Sequence, residues 1–190
     1  MSGISRAATL RNFTAPALKA LYSLEVQGAE QVPPAGPVIF DITGIGVLVA
    51  PIVNICSPRP VHVVIDGALR EVLSKRTRYL GGDIPFEEPG FGAVRHALDL
   101  LNHGQAVGLM GKSPSLGYLV AATGAHVVAV NVTGASGKVA TDPPRPRAKI
   151  GILFEAPIQI SPSGDPCALA TVLTVSEQVR QAQANARARL

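Results

Sequence analysis

One apolar run, residues 36–51, constrains this chain more than any other stretch. It opens with a Gly-Pro turn and closes at Pro51. The wider segment 38–56 is nearly as long as the roughly 20 apolar residues that a membrane-spanning helix needs. It also contains Asp41, Asn54 and two glycines, which oppose a membrane span. A buried strand, a glycine turn and a short apolar helix inside an α/β domain account for the same residues.

Composition supports a folded domain with an anionic partner. The 190 residues suit one domain, with 47% apolar and only 16% charged residues. The net charge of +4 suits phospholipid headgroups. Aromatic residues make up 4% and tryptophan is absent, so we expect no nucleic-acid partner.

The cysteines and the first ten residues predict the compartment. Cys56 and Cys167 are far apart and have no metal-ligand spacing, so we expect reduced thiols inside the cell and no metal site. Residues 1–10 lack a continuous apolar core and a cleavage site, so they do not resemble a signal peptide. The sequence predicts a cytoplasmic protein, with a peripheral position at the inner membrane surface as the alternative, and no cofactor.

Alternating strand and helix patterns predict the fold class. They indicate an α/β domain, a largely parallel, twisted sheet flanked by helices, in a single domain over residues 1–190. An N-terminal amphipathic helix (1–24) and a C-terminal helix (167–190) are expected at its ends. The predicted strands are 24–28, 37–42, 61–66, 84–86, 106–110, 127–132 and 149–154, and the predicted internal helices are 68–79, 93–101 and 116–123.

Five parts of the sequence share features with one known family: residues 24–33 with 36–39, 78–86, 97–109, 121–130, and 150–151 with 155–158. In this order they resemble the glycerophospholipid acyltransferase family, which acylates lysophosphatidate and glycerol 3-phosphate, and the resemblance covers roughly residues 22–160. It implies a glycerol-3-phosphate acyltransferase-like scaffold.

The first family motif, Asn-His-x-x-x-x-Asp, is where the resemblance fails most clearly. In the family, the histidine serves as general base and the aspartate orients it. Alignment from Gly36 places Thr43 at the asparagine, Gly44 at the histidine and Val49 at the aspartate. Neither Gly44 nor Val49 can move a proton, and no other His-x-x-x-x-Asp occurs in the chain.

The other family motifs have also lost their working residues. Where the second motif has a phosphate-binding arginine, Phe86 is followed by Glu87 and Glu88. The third motif falls on residues 111–115 and lacks both its glutamate and its arginine, and the proline of the fourth becomes Ala129. The resemblance therefore implies a degenerate member, without acyl transfer by the family mechanism.

Three sets of residues are candidates to replace the missing catalytic groups. His62 and Asp66 share one face of a strand but would lie about 13 Å apart, beyond a hydrogen bond. Asp41 is either a ligand-facing acid or a buried carboxylate bonded to a backbone amide or a basic residue. Residues 111–113, between a strand and a helix, could hold an anion.

The leading hypothesis is a catalytically inactive relative that binds a lipid or acyl-type ligand, or docks on a partner enzyme, through the apolar remnant of the site. Ile45, Val47, Leu48 and Val49 make that remnant suited to hydrocarbon, although the protein itself could equally fill it. The predicted ligand-binding residues are Asp41, Thr43, Gly44, Val49, Glu87, Gly111, Lys112 and Ser113.

The remaining expectations concern partners and the rival function. A membrane surface and a homodimer, or a heterodimer with an active enzyme, are the macromolecular partners considered. The rival function is an active acyltransferase, or another biosynthetic enzyme, that uses a rebuilt site containing Asp41.

Overall fold

The computed structural model describes residues 15, 16, 18–64, 91–110, 115–139 and 142–187. Its described strands form one mixed, mostly parallel sheet of six strands in the order β1-β6-β5-β2-β4-β3. The α/β class predicted from the sequence is thereby confirmed. The strands are β1 (Ser23–Gln27), β2 (Val38–Thr43), β3 (Val61–Val64), β4 (Ala106–Met110), β5 (His126–Thr133) and β6 (Lys149–Phe154).

Helices flank the sheet on both faces. The described helices are α1 (Val49–Cys56), α2 (Phe91–Asn102), α3 (Leu116–Thr123) and α4 (Leu169–Arg187), with a short 3-10 turn at Ala29–Gln31. Helix α3 ends where Gly124 adopts a left-handed conformation (φ 61°), as helix C-termini commonly do. Helices α3 and α4 approach closely, because a Cβ at Gly117 would collide with Ser176.

Strand directions define two edges of the sheet. β2 pairs in parallel with β4 and β5, and β3 pairs in parallel with β4. β6 runs antiparallel to β5, and β1 runs parallel to β6. The carboxyl edge, where β2, β3, β4 and β5 end, is therefore also where β1 and β6 begin. The opposite side is the amino edge.

Two apolar cores lie on the two faces of the sheet. The face covered by α1 buries Phe40, Ile42 and Val49, and the rings of Phe40 and Phe154 meet edge to face with centroids 6.0 Å apart. The other face, covered by α2, α3 and α4, buries Ile39 and Val179. Strands buried on both faces explain the continuous apolar runs in the sequence.

Some predicted boundaries shift in the structure. The sequence predicts that residues 22–24 form the end of the N-terminal helix. In the structure, Ser23 instead pairs with Lys149 in the sheet. The C-terminal helix begins at Leu169 and not at Cys167, because the Asp165 carboxylate accepts a hydrogen bond from Cys167 N (2.9 Å) in a turn before it. The predicted helix 68–79 and strand 84–86 lie outside the described residues.

At the amino edge, Arg59 joins three segments. Its guanidinium donates to the carbonyl oxygens of Pro33 (3.3 Å), Gly36 (2.9 Å) and Gly104 (2.5 Å). Burial lowers the pKa of this guanidinium, which nevertheless stays charged at neutral pH. Arg59 therefore fixes the loops that precede β2 and β4.

Candidate functional site

The candidate site lies at the carboxyl edge, where β2 gives way to α1. In open α/β sheets, ligands bind outside the carboxyl ends of the strands. The loop that leaves β2 begins at Gly44, and the helix begins at Val49. The fold thus places the two positions singled out by the resemblance at the edge where chemistry is expected.

Gly44 and Val49 lie side by side. An ideal Cβ at Gly44 would be 3.2 Å from Val49 Cγ2 and 3.0 Å from the carbonyl oxygen of Val132. Side chains at these two positions would therefore touch, as a base and its orienting acid must. The backbone brings positions 44 and 49 close together, but Gly44 and Val49 have no group that transfers a proton.

Most of the apolar remnant belongs to the protein core. Val47, Leu48 and Val49 are buried on the α1 face, and Val49 has no exposed surface (0%). Ile45, in contrast, is 69% exposed. Of the four apolar residues in this loop, three pack against the fold and one remains available at the surface.

The β2–α1 loop also packs tightly against the loop that follows β5. Gly46 adopts φ 133°, and a Cβ there would collide with the carbonyl oxygen of Ala135. Only glycine permits this approach without strain. The two loops consequently form one continuous surface at the carboxyl edge.

Asp41 and Thr43 lie on the opposite face from Val49. Alternation along β2 turns Phe40 and Ile42 toward α1, and therefore turns Asp41 and Thr43 toward α4. The half-buried Asp41 Oδ2 accepts a hydrogen bond from Gln183 Nε2 of α4 at 3.0 Å. Asp41 thus has a side-chain amide partner on α4, whereas the sequence predicts a backbone amide or a basic residue as its partner.

A second polar pair lies on this same face. Asn131 Nδ2 donates to Glu155 Oε1 at 2.7 Å, and Asn131 is the β5 neighbour of Thr43. No sequence motif points to Asn131, Glu155 or Gln183 as functional residues. The asparagine inside an apolar strand was a usable signal, whereas Gln183 is 142 residues from Asp41 and no local pattern reveals it.

His62 is a buried polar residue of β3. It faces the α2 side, is 7% exposed, and its Nε2 has no hydrogen-bond partner among the described residues. Burial, and to a lesser degree the charge of His96, lowers the pKa of His62. The imidazole is therefore neutral at pH 7.

Several predicted site residues cannot be placed. Glu87, Gly111, Lys112, Ser113 and Asp66 lie outside the described residues. Across the part of the chain that is described, His, Cys, Asp and Glu form no group of three or more that could hold a metal ion. Within those same ranges, no helix is long and apolar enough to cross a membrane.

Comparison with solved structures identifies the scaffold. The 1-acyl-sn-glycerophosphate (LPA) acyltransferase PlsC from Thermotoga maritima has a similar structure, with a TM-score of 0.57. The likeness covers 93% of this chain and 78% of that chain, at 18% sequence identity. This chain has an acyltransferase fold. No protein-family model and no curated protein matches the sequence.

Positions 44 and 49 are adjacent in this fold. Position 44 holds a glycine and position 49 holds a buried valine. The carboxylate nearest to them in sequence, Asp41, is directed to the other face, where α4 packs.

Proposed function

We propose that this protein is a catalytically inactive acyltransferase-fold protein that binds a lipid or acyl-type ligand at the carboxyl edge. The observation that carries the proposal is the proximity of positions 44 and 49, which hold Gly44 and Val49. General acid–base catalysis contributes typically 10²–10⁴-fold, and neither residue can supply it.

The apolar residues of the β2–α1 loop at the carboxyl edge favour an apolar ligand. Ile45 remains 69% exposed beside the buried Val47, Leu48 and Val49. The structural neighbour is named for its action on a lysophospholipid, 1-acyl-sn-glycerophosphate. Ligand pockets are predominantly apolar, so hydrocarbon is the ligand chemistry that this loop suits best.

The experiment measures saturable binding of a fluorescent fatty acid, with lysophosphatidate and a long-chain acyl-CoA as competitors. We expect the intact protein to bind the probe, and Ile45→Ser to weaken binding about tenfold because an apolar contact is lost. Leu169→Ser, at an apolar residue of similar exposure on α4 (71%), is the matched control and should leave binding unchanged. Absence of saturable binding would refute the proposal.

A partner enzyme is the second candidate, and α4 favours it. Leu169 and Leu173 are 71% and 58% exposed and lie one helical turn apart. Native mass spectrometry of the purified protein distinguishes the two candidates. A lipid adduct on a monomer supports the ligand, whereas a dimer that Leu169→Ser/Leu173→Ser dissociates supports the protein partner.

An active enzyme with a rebuilt site is less well supported. The candidate substitute, Asp41, accepts a hydrogen bond from Gln183 and lies on the face opposite Val49. This arrangement suits a carboxylate that positions α4 on the sheet.

A further inference from the structure

Exposed positive side chains gather at the carboxyl edge. Lys138, Arg145 and Arg147 lie in the loop between β5 and β6, and Lys149 opens β6. Lys19 lies in the helical turn that precedes β1. All five are exposed, and we call these five residues the basic rim.

Hydrogen bonds hold the basic rim together as one surface. Arg147 N donates to the carbonyl oxygen of Leu21 at 2.6 Å. The Tyr22 hydroxyl donates to the carbonyl oxygen of Pro144 at 3.3 Å. The turn before β1 and the loop before β6 are thereby fixed against each other, so their cations share one side of the protein.

Apolar side chains project from the same edge. Ile45, Val139 and Leu21 are 69%, 55% and 48% exposed. They belong to the β2–α1 loop, the β5–β6 loop and the turn before β1, the same edge that carries the basic rim. Single exposed hydrophobic residues need no explanation, but apolar side chains beside cations are typical of surfaces that lie in a membrane interface.

Few acids offset these charges. In the described residues of segments 18–25, 44–48 and 134–149, the acids are Glu25 and Asp142. Glu25 Oε1 lies 3.6 Å from Lys149 Nζ, and both side chains are largely exposed (58% and 81%). Five positive and two negative side chains leave these segments with a net charge of +3.

We propose that the basic rim, with Ile45, Val139 and Leu21, docks the protein on an anionic phospholipid surface. The cations attract the negative leaflet and the apolar side chains enter the headgroup region. A soluble acidic protein would use the cations alone. The proposal goes beyond the ligand-binding function, because docking requires no lipid bound within the fold.

The test is sedimentation of the full-length protein with vesicles made of equal parts phosphatidylglycerol and phosphatidylcholine, compared with vesicles of phosphatidylcholine alone. We expect binding to the anionic vesicles, weakened by salt, and little binding to the neutral ones. Arg145→Gln/Arg147→Gln should lower the partition coefficient about 25-fold, since each cation contributes about fivefold. Ile45→Ser should lower it about tenfold, with little dependence on salt.

Arg95→Gln/Arg180→Gln is the matched control, because it removes two exposed cations from the helices and leaves the basic rim intact. We expect it to lower the partition coefficient by about twofold or less. Equal losses in the two double variants, or no sedimentation with anionic vesicles, would overturn the proposal. Binding to soluble polyglutamate as tight as to vesicles would also overturn it. Sedimentation without saturable fatty-acid binding would refute the proposed ligand and leave the docking surface intact.

Discussion

At the amino edge of the sheet one cation, Arg59, is enclosed by three carbonyl oxygens, whereas at the carboxyl edge five cations are exposed to solvent. The first arrangement uses charge to hold loops together. The second leaves charge available to a partner. A cation enclosed by backbone carbonyl oxygens contributes to stability, and a cation exposed at the surface is accessible to a partner.

The carboxyl edge itself contains a further contrast. Position 49 is as buried as any residue of the core, and position 45, four residues earlier, is among the most exposed apolar residues described. One part of this loop therefore belongs to the core, and the other part belongs to the surface.

The largest expected effect tests whether position 49 is core. Val49→Asp should lower the free energy of unfolding by about 3 kcal/mol or more, because it buries a carboxylate among apolar side chains. Ile45→Asp, the same new side chain in the same loop, should change it by less than about 0.5 kcal/mol. Urea unfolding measures both. A stable Val49→Asp protein would mean that the site is open.

The next effect concerns the amino edge. Arg59→Ala should lower the free energy of unfolding by about 2 kcal/mol, because three carbonyl oxygens lose a charged donor. Arg95→Ala, at an exposed position on α2, provides the control and should be neutral within about 0.5 kcal/mol. If both variants unfold at the same denaturant concentration, Arg59 does not fix the loops.

Acidification tests the buried imidazole on the α2 side. The pKa of His62 is lowered in the folded protein, so below about pH 6.5 the unfolded chain takes up a proton that the folded protein does not. The contribution of the neutral His62 to stability is therefore fully present above about pH 6.5. It is lost as the pH falls toward the pKa of His62 in the folded protein, and the free energy of unfolding decreases by at most about 1.4 kcal/mol per pH unit. Chemical unfolding at pH 7.5 and below should show this slope, and His62→Gln should reduce it. An unchanged slope in His62→Gln would contradict the assignment.

The smallest effect concerns the link between Asp41 and α4. Asp41→Ala and Gln183→Ala should each cost about 1 kcal/mol, and a double-mutant cycle should give a coupling energy of about 0.5–1.5 kcal/mol. A coupling energy of zero would show that the hydrogen bond does not stabilise the fold.

Local patterns were sufficient for much of the fold. Apolar runs predict β4, β6 and α3 with the bounds that the structure has, because burial and chain punctuation leave a local trace in the sequence. The predicted N-terminal helix extends too far, to residue 24. Local patterns do not reveal that Ser23 pairs with Lys149, because the two residues are distant in sequence.

The candidate site was less predictable, for a related reason. Alignment located positions 44 and 49, but their contact depends on how the loop turns after β2. The partners of Asp41 and Asn131 come from α4 and from the end of β6, which no spacing rule joins to β2 or β5. Only the three-dimensional fold separates Asp41 from Val49 by placing them on opposite faces of the sheet.

An acyl-transfer assay tests the central claim most directly. The purified protein is incubated with long-chain acyl-CoA and acyl-carrier-protein donors and with lysophosphatidate as acceptor, and Asp41→Ala is assayed beside Asp99→Ala, a change at an exposed acid on α2. We expect no product above the uncatalysed background for any of the three proteins. Turnover by the unmodified protein would contradict the proposed inactivity, and its loss in Asp41→Ala but not in Asp99→Ala would assign the activity to Asp41.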